Sequence, residues 1–226
     1  AMSRKRDKDG KSAKGFGAEI LSKAEEKRDG DDIYSLPALY DLAFGYRNYE
    51  FEARFLIGAH KEHNAIDGLG PNSIIELAAG PARHSMTALK LRPTSAKSAV
   101  AIDISKEMAE YNADLVQENL GSELSGNFQY LIDDMRHFTL REEEEQFHTA
   151  WILLGSMSHL KSNDDVINCF RSARKALKTG GTLIVELPHP RETFTMVECT
   201  RDTWEVPVEG DAGEDALLTV IWGDDD

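Results

Sequence analysis

Short apolar runs and longer stretches at helical spacing alternate along most of this chain. SIIEL, SAVAID, FQYLI, TAWILL and TLIVEL are nearly continuous in apolar or small residues, the pattern of strands buried on both faces of a sheet. We place strands at Ser73–Leu77, Ser98–Asp103, Phe128–Ile132, Thr149–Leu154 and Thr182–Leu187. Between them the period lengthens. One helix is expected from Pro81 to about Lys90, stopping before Pro93; a second follows a Ser105 cap to about Asn119; a third runs from Asp164 to about Leu177, closed by Lys178–Gly181. Strands alternating with helices imply an α/β fold, a doubly wound, mostly parallel sheet with right-handed crossovers.

The flanks have other rhythms. From Ile33 the spacing of Leu36, Leu39, Tyr40 and Leu42, then of Tyr49, Phe51, Phe55, Leu56 and Ala59, predicts two helices joined at Gly45, the second over Arg47–His60. After Pro190, TWEVPVEG and ALLTVIWG alternate like antiparallel strands, with the acidic GDAGED between them. This divides the chain into a tail (1–30), a helical lid (31–68), a central core (69–190) and an antiparallel substrate-side segment (191–226).

Composition narrows the partners. With 40 acidic against 26 basic residues, a net charge of −14 repels phosphate backbones, so nucleic acid is not expected as a partner. Locally the tail is basic, with Arg4, Lys5, Arg6, Lys8, Lys11 and Lys14, but Asp7 and Asp9 dilute it, and we read it as a solvated arm. Two cysteines, Cys169 and Cys199, form no CxxC pair, which fits a reducing, cytoplasmic setting. No apolar run reaches the roughly 20 residues of a membrane helix, so no membrane partner is expected. The LREEEEQ run is read as a solvated turn or helix end.

The turn after the first strand is the most informative stretch. In SIIELAAGPARH, Ala78, Ala79 and Gly80 lead into Pro81, a residue suited to the first helical position. Such a turn admits a ligand close to the backbone, and the N–H groups of the following helix point at an anion. Arg83 and His84 fall in the first helical turn, where the macrodipole disfavours them, so a negative partner is expected nearby.

ELAAGPARH resembles the first motif of the class I, Rossmann-like S-adenosylmethionine-dependent methyltransferases, with Glu76 in the acidic place and Gly80 in that of the central glycine. Ala78 and Ala82 stand where the outer glycines usually are, tolerable if φ stays negative. The spacing departs from the dinucleotide pattern G-x-G-x-x-G. The resemblance continues, in order, through AIDISKEM, DDMRHF, AWILLGSMSHL and LKTGGTLIVELPHP, from Ile33 to about Pro190. It implies the family's small-molecule type with an N-terminal lid, and S-adenosyl-L-methionine as cofactor, leaving S-adenosyl-L-homocysteine as product. The family sheet normally finishes with a further helix and a hairpin, not found before Asp226, and we expect this sequence to stop short of them.

The same resemblance implies the site. Asp103, about 20 residues past the glycine turn, would accept from the ribose hydroxyls, with Ile104 beside it. Asp133 or Asp134, the latter matching the family better, would accept from the adenine amino group, with the Met135 backbone at a ring nitrogen and Met108 and Met135 as walls. Glu76 would hold the turn's backbone or meet the donor's amino group; Ala78 and Gly80 would underlie the donor, and Arg83 would meet its carboxylate. Leu154 and Gly155 would offer carbonyls, and Tyr40 of the lid would cover the donor. Methyl transfer is an in-line displacement needing no metal. His159 is the expected base for an ammonium or hydroxyl acceptor, or only orients a thioether; Tyr46 and Arg47 would grip an acceptor carboxylate, and His189 is a weaker candidate. The expected acceptor is a small, carboxylate-bearing molecule with a nitrogen or sulfur nucleophile. The rival readings are a donor-binding protein without turnover and a methyltransferase of protein or RNA.

Overall fold

The computed structural model describes residues 33–92, 96–140, 146–187, 202–209 and 215–222. The basic tail, most of the glutamate run, His189 and GDAGED lie outside them. The chain divides into two units, Arg47–Cys199 and a smaller one formed by residues up to Tyr46 together with those from Thr200 onward. The residues expected as one helical lid, 31–68, are therefore distributed between the two.

The smaller unit contains helix α1 (Pro37–Ala43) and strands β6 (Asp202–Glu209) and β7 (Asp215–Trp222). The strands pair antiparallel from Asp202↔Trp222 to Glu209↔Asp215. Ala43, Val206 and Val220 form its buried core, and the Trp204 indole donates to the Ala43 carbonyl at 2.7 Å.

The larger unit carries α2 (Tyr49–His63), α3 (Arg83–Lys90), α4 (Lys106–Asn119), the short α5 (Gly121–Leu124) and α6 (Asn163–Ala176), with β1 (Ser73–Leu77), β2 (Ser98–Asp103), β3 (Phe128–Ile132), β4 (Phe147–Ile152) and β5 (Leu177–Val185). All neighbouring strands run parallel, in the order β3-β2-β1-β4-β5. This is the doubly wound sheet expected. Every residue of β1 is buried. Alternation along it sends Ile74 into a core with Ala53, Leu56 and Ile57 of α2, Met86 and Leu89 of α3 and Leu115 of α4. Ile75 and Leu77 enter the opposite core, with Cys169, Ala173 and Ala176 of α6. Burying each large aliphatic side chain stabilises by about 1.5–3 kcal/mol. Glu76 shares the side of Ile74, the side on which α3 lies.

Three boundaries differ from expectation for identifiable reasons. Helix α3 begins at Arg83 rather than Pro81, because Ala82 at its N-cap is left-handed, φ 55°. Strand β4 ends at Ile152 rather than Leu154, because Leu154 and Gly155 are both left-handed, φ 56° and 70°, and turn the chain out of the sheet. Lys178–Gly181 does not close α6; it lies within β5. Leu177 is already extended, and the β4/β5 register shifts between Phe147 and Thr149. At that irregularity a Cβ on Gly181 would lie 2.8 Å from the His148 carbonyl oxygen, so the glycine answers a close approach of two backbones.

Candidate functional site

The switch in strand order lies between β1 and β4, where connections leave in opposite directions. In open α/β sheets the crevice beyond the carboxyl ends at such a point takes the ligand. The turn leaving β1 forms one lip. Ala78, Gly80 and Ala82 are all left-handed, φ 52°, 51° and 55°, so the condition that φ stays negative at the two alanines is not met. A left-handed alanine costs about 1–2 kcal/mol, and hydrogen bonds from every side hold it. Ala79 N–H donates to the Ile102 carbonyl at 3.0 Å and Ala82 N–H to that of Ala79 at 2.8 Å. Gly80 N–H donates to Asp103 Oδ2 at 2.7 Å, Tyr130 O–H to the Gly80 carbonyl at 2.7 Å and buried Asn112 to that of Pro81 at 2.8 Å.

Asp103 ends β2 and ties that strand to the turn, since its Oδ1 also accepts from Ser105 N–H at 2.9 Å. Burial pushes its carboxyl above the usual range, against the N–H groups of Ser105, Gly80 and Ile104 and the charge of His159. Three N–H groups leave one of the carboxylate's four lone-pair sites open. Beside it, Ile104 is 70% exposed, and Ile132, its neighbour at the tip of β3, is 55% exposed. Two isoleucines presented to solvent at adjacent strand tips want an apolar cover.

Asp133 accepts from Asp134 N–H at 2.8 Å and Thr139 N–H at 3.0 Å, and so shapes its own loop. Arg136 clasps Asp134, its Nη2 at 2.6 Å and Nε at 3.0 Å, and this holds the Asp134 carboxyl below the usual range. Met108 and Met135 are both buried; the exposed apolar surface at these tips is that of Ile104 and Ile132.

The other lip is organised by charge. Glu76 accepts from the Ser85 hydroxyl and from Ser85 N–H at 3.0 Å, which answers a donor of α3's first turn. His84 bridges two carboxylates, Nε2 to Glu52 Oε2 at 2.7 Å and Nδ1 to Glu76 Oε1 at 3.6 Å. Burial works against its charge, but Glu76 and Glu52 outweigh burial and hold its pKa above the ordinary value. The negative partner expected for His84 is thus this pair. Arg47 donates Nε to Glu52 at 3.1 Å and Nη2 to Glu186 at 3.2 Å, and Glu186 also accepts from Leu154 N–H at 3.1 Å. Glu76, His84, Glu52, Arg47 and Glu186 form one chain from β1 to the residue after β5.

Of the other expected residues, Gly155 accepts through its carbonyl from Ser158 N–H at 2.9 Å. His159 is exposed at the end of the 3-10 turn that follows β4. The charge of Arg83 is felt at Lys90, at the far end of α3. Tyr40 and Tyr46 lie in the smaller unit, their rings 4.6 Å from Phe44 and 5.9 Å from Trp204. Tyr49 instead sets its ring edge-on to His84 at 5.0 Å. Nothing in the local pattern marks Glu52, and Glu186 falls inside the strand expected over Thr182–Leu187, one residue beyond where β5 ends.

A nucleoside donor with a cationic sulfonium fits these residues: isoleucines for a flat base, Asp103 beside the turn for hydroxyls, and carboxylates outnumbering Arg47 and His84 for positive charge. Sheet, turn and acidic strand tips together define an α/β fold whose crevice suits an adenosyl donor.

Residues 74–181 match the family described as a methyltransferase domain. None of the curated proteins compared matches the chain by sequence. Among solved structures, DesVI of Streptomyces venezuelae superposes with a TM-score of 0.58 at 16% identity, covering 81% of each chain. The sugar N-methyltransferase KedS8 from Streptoalloteichus sp ATCC 53650 gives 0.56 at 16%, covering 81% of this chain and 77% of its own. CalS10 of Micromonospora echinaspora, an amino pentose methyltransferase with S-adenosylmethionine bound, gives 0.57 at 13%, over 82% and 81%. Residues 74–181 thus carry a methyltransferase domain, on a Rossmann-like fold. Among the described residues no helix is long and apolar enough to cross a membrane.

Proposed function

We propose that the enzyme methylates an amine nitrogen of a small molecule. The observation that carries this reading is the ion-pair chain beside the crevice: among the described residues, the cations paired with Glu52, Glu76 and Glu186 are Arg47 and His84. That lining favours a donor and an acceptor that both bring positive charge. It also weakens the case for an acceptor carboxylate, since the guanidinium expected to grip one is paired with two glutamates. Two of the structural neighbours are described as a sugar N-methyltransferase and an amino pentose methyltransferase.

In this reading Asp103 accepts from the ribose hydroxyls, Asp134 from the base amino group, Ile104 and Ile132 cover the base, and Ala78 and Gly80 underlie the donor. S-adenosylmethionine, when bound, supplies a methyl group on a positively charged sulfur. His159 takes the proton that the acceptor nitrogen must lose; the nitrogen–carbon bond forms as the carbon–sulfur bond breaks, and the leaving thioether is neutral. Glu186, pinned by Arg47 and the Leu154 N–H, holds a negative charge near the acceptor. The work of the site is alignment and exclusion of water. The enzyme should be incubated with isotopically labelled donor and a panel of small amines, thiols, alcohols and carboxylates, followed by mass spectrometry. Label on an amine nitrogen supports the reading; label confined to oxygen, sulfur or macromolecules overturns it.

A further inference from the structure

At the other end of α3 from His84 a cavity of about 430 Å³ opens between α2 and α3, lined by Glu50, Arg54, Thr87, Lys90, Leu91 and Arg92. Its charge runs against that of the chain: three cations meet one carboxylate, where acids outnumber bases 40 to 26 overall. Glu50 is spent on Arg54, at 2.8 Å to Nη2 and 3.1 Å to Nε.

The helix end is spent too. A helix C-terminus repels anions through its open carbonyls. Here Arg92 Nη1 covers the Leu89 and Leu91 carbonyls at 3.3 and 3.0 Å, and Arg54 covers that of Arg92 at 3.3 Å. Three donor groups remain: the Lys90 ammonium, the Thr87 hydroxyl, and Nε with Nη2 of Arg92. None has a hydrogen-bond partner among the described residues. Thr87 and Lys90 stand three residues apart, on one face of α3. Burial and the charge of Arg83 both disfavour the charged form of Lys90, so its cation has a repulsive neighbour without an attractive one.

We propose that this cavity is a second ligand site, separate from the donor crevice, that takes a phosphate group. A phosphate offers several acceptor oxygens and close to two negative charges, which suits three donor groups that line one cavity. The cavity is larger than inorganic phosphate, so the group is expected to come on a small phosphate monoester.

The test is calorimetry on the full chain without donor, at constant ionic strength, with inorganic phosphate and glycerol 3-phosphate as probes. Saturable binding of both is expected, the ester binding more tightly. Lys90→Gln should weaken it about tenfold, the loss of one charge-assisted hydrogen bond, and Lys90→Arg should retain most of it. Asp103→Ala should weaken donor binding and leave phosphate binding unchanged, which separates this site from the proposed reaction. No saturation, equal response to matched chloride, or Lys90→Gln binding like the wild type with its thermal transition intact would overturn the proposal. Tighter binding of inorganic phosphate than of the ester would overturn the assignment to a monoester.

Discussion

His84 Nε2 lies 2.7 Å from Glu52 Oε2, a contact that locks α2 to the first turn of α3 at the edge of the crevice. Because Nδ1 faces Glu76 on the other side, the imidazolium is shared between two carboxylates, one of them buried. This is how a histidine is tolerated where the helix dipole opposes it.

The contact makes stability pH-dependent with a definite sign. The native pKa of His84 is raised, so above the unfolded value of about 6.5 the native state holds a proton that the unfolded chain has released. The contribution is therefore complete below about pH 6.5 and is lost as pH rises through the native pKa. Unfolding free energies of wild type and His84→Gln from urea titrations should differ most below that pH, by about 2 kcal/mol, and converge in alkali. A gap that widens with pH would contradict this.

Buried His60 should act in the opposite direction. Its rings meet Thr182 Oγ1 and the Leu69 carbonyl, each at 2.9 Å, and burial lowers its pKa. Below about pH 6.5 the unfolded chain gains a proton that the native state refuses, so stability falls with acid. An NMR titration should place the His60 midpoint below, and that of His84 above, the ordinary histidine value.

Asp103→Ala should weaken donor binding by about 1–3 kcal/mol. The substitution removes the proposed ribose acceptor and also leaves Gly80 N–H, now 2.7 Å from the carboxylate, without its partner. Asp103→Asn should fall between, because the amide oxygen can still accept from some of the three N–H groups. Calorimetry with the donor measures both; unchanged affinity would place the ribose elsewhere.

Ala78→Gly should stabilise the fold by up to about 1 kcal/mol, since φ 52° strains an alanine and a glycine there loses only chain entropy. Ala79, outside the left-handed region, is the control. Ala79→Gly should destabilise by about 0.4–1 kcal/mol. Chemical denaturation of the pair distinguishes relief of strain from a general effect of glycine.

His159→Gln should lower kcat and leave donor affinity unchanged, as expected of a group that handles a proton rather than the donor. Loss of donor affinity with kcat preserved would move His159 into the donor pocket.

The first three strands were legible residue for residue, and Ser105 caps α4 as expected, accepting from Met108 N–H at 3.1 Å. These are decisions of local pattern, where apolar runs, a hydroxyl and a proline act within a few residues. Arg47 shows where that legibility ends. Its type and place were readable, but its partner Glu186 lies 139 residues away, and a guanidinium that could grip an acceptor is instead held by two glutamates.

The amino-acid sequence by itself determined the alternation of strands and helices, the acidic residue and small-residue turn at the end of β1, and the carboxylates at the strand tips. Each follows from side-chain period and backbone preference over short range. Only the tertiary structure decided that Ala78 and Ala82 turn left-handed, that Tyr49 goes to His84 while Tyr40 and Tyr46 join another unit, and that Glu52, His84 and Glu186 complete the ion-pair chain. The physical reason is the same throughout: strain is accepted, and a charge is paired, only where segments distant in sequence arrive to supply hydrogen bonds.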